Sequence, residues 1–103
     1  MPALPWCRGP HPRSPPAQIA AGRRLGETLR TARGDRSLDE VASQAGISPE
    51  TLRKIETGRL PSPAFGTVVG LSAALGIPLQ TLADVWRDAA AAEAAIRETA
   101  GTA

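Results

Sequence analysis

The residues best suited to recognising another molecule are clustered. Between residues 37 and 59 the chain reads SLDEVASQAGISPETLRKIETGR. Leu52 and Ile55 are three apart and share one side of a short helix. Glu50, Thr51, Arg53, Lys54 and Thr57 are left on the other side. A helix anchored at its back and polar at its front has the dimensions of the DNA major groove. The N–H groups and partial positive charge at its start favour phosphate. Short polar side chains in its first turns can then reach base edges. A solvated helix face would carry the same residue types, so position in the fold has to decide.

Covalent and metal chemistry have little to work with. Cys7 is the only cysteine and His11 the only histidine, and both lie in a Pro-rich N-terminal stretch. No internal disulfide can form from one cysteine. A Cys/His zinc site needs more ligands than this. A Cys-His or Ser-His pair would need His11 held in fixed geometry. The phosphate-binding and dinucleotide-binding glycine motifs and HExxH are absent. The expectation is a protein that is not an enzyme and holds no cofactor.

The chain has 103 residues, enough for one small domain, with 12 Lys+Arg against 10 Asp+Glu. The net charge of +2 hides an asymmetry. Residues 1–60 carry ten cations and six anions, whereas residues 61–103 carry two cations and four anions. A basic first half can meet a polyanion. With 3% aromatic residues and abundant alanine, the composition suits helices and lacks the runs a β-sandwich or barrel needs. Heavy Arg, Ala, Gly and Pro usage matches a GC-rich bacterial genome. No apolar run approaches the ~20 residues of a membrane span, and the start lacks the apolar core of a signal peptide. A cytoplasmic, nucleoid-associated protein is expected.

Five helices are expected to position the polar face. Prolines concentrate in residues 1–16, which read as a disordered tail containing Trp6, Cys7 and His11. The domain is expected over residues 17–98, with its helix-turn-helix core at 37–58 and a flexible C-terminus at 99–103. From Ala17 the residues Ile19, Gly22, Leu25, Leu29 and Ala32 keep a helical period, and Gly34-Asp35 ends it. Ser37 and Glu40 form a capping box for a second helix with Val41, Ala42 and Ala45 inward; Gly46 stops it. Ser48 caps the third helix and Pro49 opens it. Ser62 and Pro63 are expected to begin the fourth, with Phe65, Val68, Leu71, Ser72 and Leu75 inward. Gly66 and Gly70 within it either allow close approach or weaken it. Pro78 introduces the fifth, with Leu79, Leu82, Trp86 and Ala89 on one stripe.

A tight glycine-containing turn between two very short helices is a helix-turn-helix. SLDEVASQAGISPETLRKIETGRLPSPAF, followed by LSAALGIPLQTLADVW, resembles the Cro/phage-repressor (XRE-type) helix-turn-helix proteins. The linked features are Val41-Ala42, Gly46-Ile47-Ser48, Leu52, Ile55-Glu56, Gly58, Pro63, Leu75-Gly76 and Leu82. The resemblance implies an all-α, compact five-helix, lambda-repressor-like DNA-binding domain whose third helix enters the major groove. It places Pro49, Glu50, Thr51, Arg53 and Lys54 on the base-reading face. It places Ser37, Thr57 and Arg59 where phosphates commonly lie, with Ser48 at the cap beside them. It also pairs Glu56 with an arginine of the first helix, Arg30 or Arg33. Glu50 can accept from cytosine N4 or serve as a helix-start carboxylate. Arg53 can read guanine, and Lys54 can hold phosphate or read a base. Three departures stand out: Leu38 replaces a common phosphate-binding glutamine, the turn before Ser37 is shorter, and Pro49 lacks a side-chain donor.

The function implied is a sequence-specific transcriptional regulator, a repressor, that binds double-stranded DNA as a homodimer. The stripe Leu79, Leu82, Trp86 and Ala89 is a dimer face on this reading, or else part of the monomer core. The competing function is an antitoxin or adaptor that holds a protein partner, a toxin or a co-regulator, through the C-terminal helix.

Overall fold

The computed structural model describes residues 15–101, with side chains described through Thr99. The expected tail, including Trp6, Cys7 and His11, lies outside the described residues apart from Pro15 and Pro16. Five helices run in order: α1 Pro16–Arg33, α2 Leu38–Ala45, α3 Pro49–Glu56, α4 Phe65–Leu75 and α5 Leu79–Gly101. No strand occurs among the described residues. The fold is therefore the all-α, five-helix architecture expected. Pro16, assigned above to the tail, is instead the first residue of α1. Its fixed φ and missing N–H suit that position. At the other end α5 continues to Gly101, past the boundary expected at 98.

One core joins all five helices. Leu25 and Leu29 of α1, Val41 and Ala42 of α2, Leu52 and Ile55 of α3, Leu71 of α4 and Leu82 of α5 are all buried in one cluster. Full burial of a Leu, Ile or Val side chain contributes about 1.5–3 kcal/mol, so the seven such residues in this cluster hold a small fold together. Two glycines let the helices meet backbone to backbone. A Cβ on Gly26 would overlap the Ile55 carbonyl oxygen and sit 2.8 Å from that of Glu56, so α1 rests directly on the end of α3. A Cβ on Gly70 would strike the Ala45 carbonyl oxygen, so α4 rests on the end of α2. Gly66, by contrast, faces open space.

The start of α4 differs from expectation. Ser62 does not cap it and Pro63 does not open it; Ala64 is the N-cap, with no side-chain hydrogen bond. Ser62 precedes a proline, which disfavours helical backbone there. The later start puts Phe65 at the open first turn, and it is 75% exposed instead of inward. Val68 and Leu75 still pack against the core, and Leu71 lies within it.

The expected stripe of α5 is used within the chain. Leu82 is 1% exposed. Trp86 packs against the core, and its Nε1–H donates to the Pro61 carbonyl at 3.1 Å. Leu79 and Ala89 are half-buried. The reason is that α5 lies along α1, which covers this side. Leu82 is therefore a core residue, and Trp86 packs against the core from its edge.

Candidate nucleic-acid interface

The turn between α2 and α3 is closed by its own backbone. Gly46 sits at φ +77° and donates its N–H to the carbonyls of Ala42 and Ser43. Glycine takes this left-handed conformation at little cost. Ser48 Oγ then accepts the Thr51 N–H at 3.1 Å and caps α3. The Ser48 and Thr51 hydroxyls are 2.8 Å apart, which draws Thr51 into the cap. At the start of α2, Ser37 Oγ accepts the Glu40 N–H at 3.0 Å. The return bond of the capping box, from Ser37 N–H to the Glu40 carboxylate, is not formed among the described residues. Ser37 keeps its hydroxyl proton available for an outside acceptor, since a hydroxyl can donate while accepting.

Leu52 and Ile55 are fully buried at the back of α3. The outward side contributes Pro49, Glu50, Arg53 and Lys54 to a polar groove of about 550 Å³. Ser37, Leu38 and Asp39 from the start of α2, and Arg59 from beyond α3, line the same groove. Three segments therefore bring most of the candidate positions to one concave surface. Lys54 Nζ lies 3.7 Å from Glu50 Oε1, with the Glu50 side chain 78% exposed. Exposed pairs of this spacing contribute only about 0.3–0.5 kcal/mol, so both charges can be redirected to a ligand. Arg53 and Arg59 are exposed and make no side-chain ion pair among the described residues.

The orientation of α3 is set by an ion pair at its far end. Arg33 Nε donates to Glu56 Oε2 at 2.8 Å and Arg33 Nη2 to Glu56 Oε1 at 3.0 Å, the two-pronged geometry that favours arginine. Arg33 Nη1 also donates to the Arg36 carbonyl at 2.7 Å. One guanidinium thus ties the end of α1, the α1–α2 turn and the end of α3 together. The hydrogen bonds that Arg33 donates to the Glu56 carboxylate hold its guanidinium above its ordinary pKa, against the lowering effect of burial. Arg30, the other candidate, is exposed and makes no ion pair among the described residues. Arg33 is three residues further along α1 and so reaches the end of α3.

Thr57 is exposed, but its hydroxyl already donates to the Arg53 carbonyl at 2.9 Å and lies 3.3 Å from that of Lys54. The backbone N–H groups of residues 57–60 are also bonded internally, to carbonyls of Arg53, Lys54 and Ile55. The charged side chain that this corner turns outward is that of Arg59. Three positioning residues escaped the sequence reading. Gly26 lies under α3 but was hidden between apolar positions of α1. Arg36 donates to the Ala74 carbonyl at 3.3 Å and so ties the α1–α2 turn to the end of α4. Arg23 lies against Gly58. Only the glycine spacing in α1 carried any signal of these contacts.

No helix among the described residues is long and apolar enough to cross a membrane. A comparison with curated proteins finds no match. A family model described as a helix-turn-helix domain matches residues 24–85, from within α1 to within α5. The match spans more than half of the chain and covers the whole of the α2–turn–α3 unit, the mark of a DNA-binding regulator. The chain belongs to the helix-turn-helix domain family.

Proposed function

We propose that this chain is a transcriptional repressor of the Cro/phage-repressor (XRE) type that reads the major groove with α3. One observation carries the reading. The groove-facing side of α3 is charged and exposed at Glu50, Arg53 and Lys54, while Leu52 and Ile55 behind it are fully buried. Arg53 is suited to donate to guanine O6 and N7, and Glu50 to accept from cytosine N4. Pro49 brings the start of α3 close without adding a donor. Ser37 and Arg59, which line the groove, are suited to hold phosphates and fix register, with Ser48 at the cap beside them. A single domain of this size reads few base pairs, so a homodimer on two half-sites about 10 bp apart is proposed. The cell compartment that follows is the cytoplasm, at the nucleoid. No catalytic role is proposed for any residue.

Selection of bound fragments from genomic DNA by the purified chain tests this. The expected result is an enriched motif with two half-sites that loses one base preference in Arg53→Ala. Binding without any motif sinks the base-reading proposal. A single half-site with one chain bound in sedimentation sinks the dimer.

A second reading has one observation in its favour. Ile96, on the distal part of α5, is 63% exposed. An antitoxin or adaptor would use this stretch to hold a protein partner, such as a toxin or co-regulator. Loss of a stoichiometric co-purifying partner in Ile96→Asp, with DNA binding intact, supports that reading.

A further inference from the structure

Arg23 and Arg24 are neighbours on the exposed side of α1, and the sequence alone gives no reason to treat them differently. Their surroundings differ. Arg24 Nη1 is paired with Glu27 Oε2 at 3.3 Å. Arg23 makes no ion pair or side-chain hydrogen bond among the described residues. Its stem lies against the turn that follows α3: a Cβ on Gly58 would be 2.9 Å from Arg23 Cγ and 3.5 Å from Arg23 Cα. Gly58 is held at φ +79°, so this turn has no side chain of its own at the contact. The Arg23 stem thus rests on Gly58, the residue before Arg59.

At this turn every other donor is already engaged. The N–H groups of residues 57–60 bond within the chain, and so does the Thr57 hydroxyl. Arg59 is the one charged donor that the turn itself offers. Arg23 adds a second from a different helix, some 35 residues earlier in the chain. An arginine within the turn and a second packed against its glycine suit a phosphate backbone, which arginine grips in a planar, two-pronged way.

We propose that Arg23 is a phosphate-contacting residue of the DNA interface, acting with Arg59 across Gly58, and that Arg24 is not. The proposal rests on the DNA-binding reading above. It is tested by titrating the full-length chain onto a short mixed-sequence duplex over a salt series. Arg23→Met keeps the stem against Gly58 and removes the charge; Arg23→Ala removes both; Arg24→Ala is the control. Loss of one phosphate contact lowers the slope of log affinity against log salt by about 0.9 per bound chain. Between about 50 and about 200 mM salt, Arg23→Met then loses about 3.5-fold less affinity than the unmutated chain, per bound chain. Arg24→Ala keeps the original slope. A slope for Arg23→Met equal to that of the unmutated chain overturns the proposal, as does an equal loss of slope in Arg24→Ala. Failure of the unmutated chain to bind any duplex defeats the DNA-binding reading itself, which separates the two failures. Thermal melting of Arg23→Met near that of the unmutated chain shows that the slope reports contact and not unfolding.

Discussion

Truncating Glu56 to alanine should cost this domain a large part of its stability. The Glu56 side chain is 6% exposed and that of Arg33 17%. The pair shares two hydrogen bonds at 2.8 and 3.0 Å. Glu56→Ala removes the acceptor and leaves a largely buried guanidinium with only the Arg36 carbonyl. Breaking a buried pair from one side costs about 3–5 kcal/mol. Arg33 retains some access to water, so the lower end, about 3 kcal/mol, applies. A domain of this size has roughly 4–13 kcal/mol in total. The melting temperature should fall by about 12–24 °C, at about 4–8 °C per kcal/mol. Urea and thermal unfolding followed by far-ultraviolet circular dichroism measure this, with the urea slope unchanged if both states keep their compactness. The double variant Arg33→Met/Glu56→Leu should recover most of the loss, because it leaves no stranded charge. A Glu56→Ala loss below about 1 kcal/mol would place the pair among weak surface bridges and refute the reasoning. A double variant as unstable as the single would show that shape at this position, not charge, is what matters.

Four further outcomes follow from the surroundings of particular residues. Gly26→Ala should destabilise by about 1–3 kcal/mol because its methyl meets the carbonyls at the end of α3. Gly66→Ala, in the same fold, should stabilise by about 0.5 kcal/mol in open space, and equal effects in urea unfolding would contradict the close approach of α1 and α3. Glu50→Gln should change one half-site preference from cytosine to adenine, since glutamine pairs with adenine N6 and N7; selection of bound DNA that returns the same motif would remove Glu50 from the base-reading set. Phe65→Ser should alter stability by no more than about 0.5 kcal/mol, given its 75% exposure. A loss of several kcal/mol on unfolding would return Phe65 to the core.

Much of the fold was legible because its signals are local. Apolar spacing in α1, α2 and α3 marked Leu25, Leu29, Val41, Ala42, Leu52 and Ile55, all of which are buried. The caps at Ser37 and Ser48 and the stop at Gly46 were also readable, because a cap bond spans only three residues and a left-handed turn needs glycine. Phe65 misled because its place in the period depended on where α4 began, and Pro63 moved that start past Ser62. Leu82 and Trp86 had the spacing of an apolar stripe, but spacing does not say what covers a stripe.

The sequence by itself determined the five helices, the turn between α2 and α3, and the polar face of α3, since each follows from propensity, capping and period within a few residues. Only the tertiary structure decided that Arg33 and not Arg30 holds Glu56, that Leu82 of α5 enters the core, and that Arg23 lies against Gly58. Those outcomes depend on how helices distant in the chain cross, and backbone contacts at Gly26 and Gly70 fix two of the crossings, α1 on α3 and α4 on α2. A glycine leaves at most a spacing in the sequence, as in α1, and no sign of which partner it lets approach.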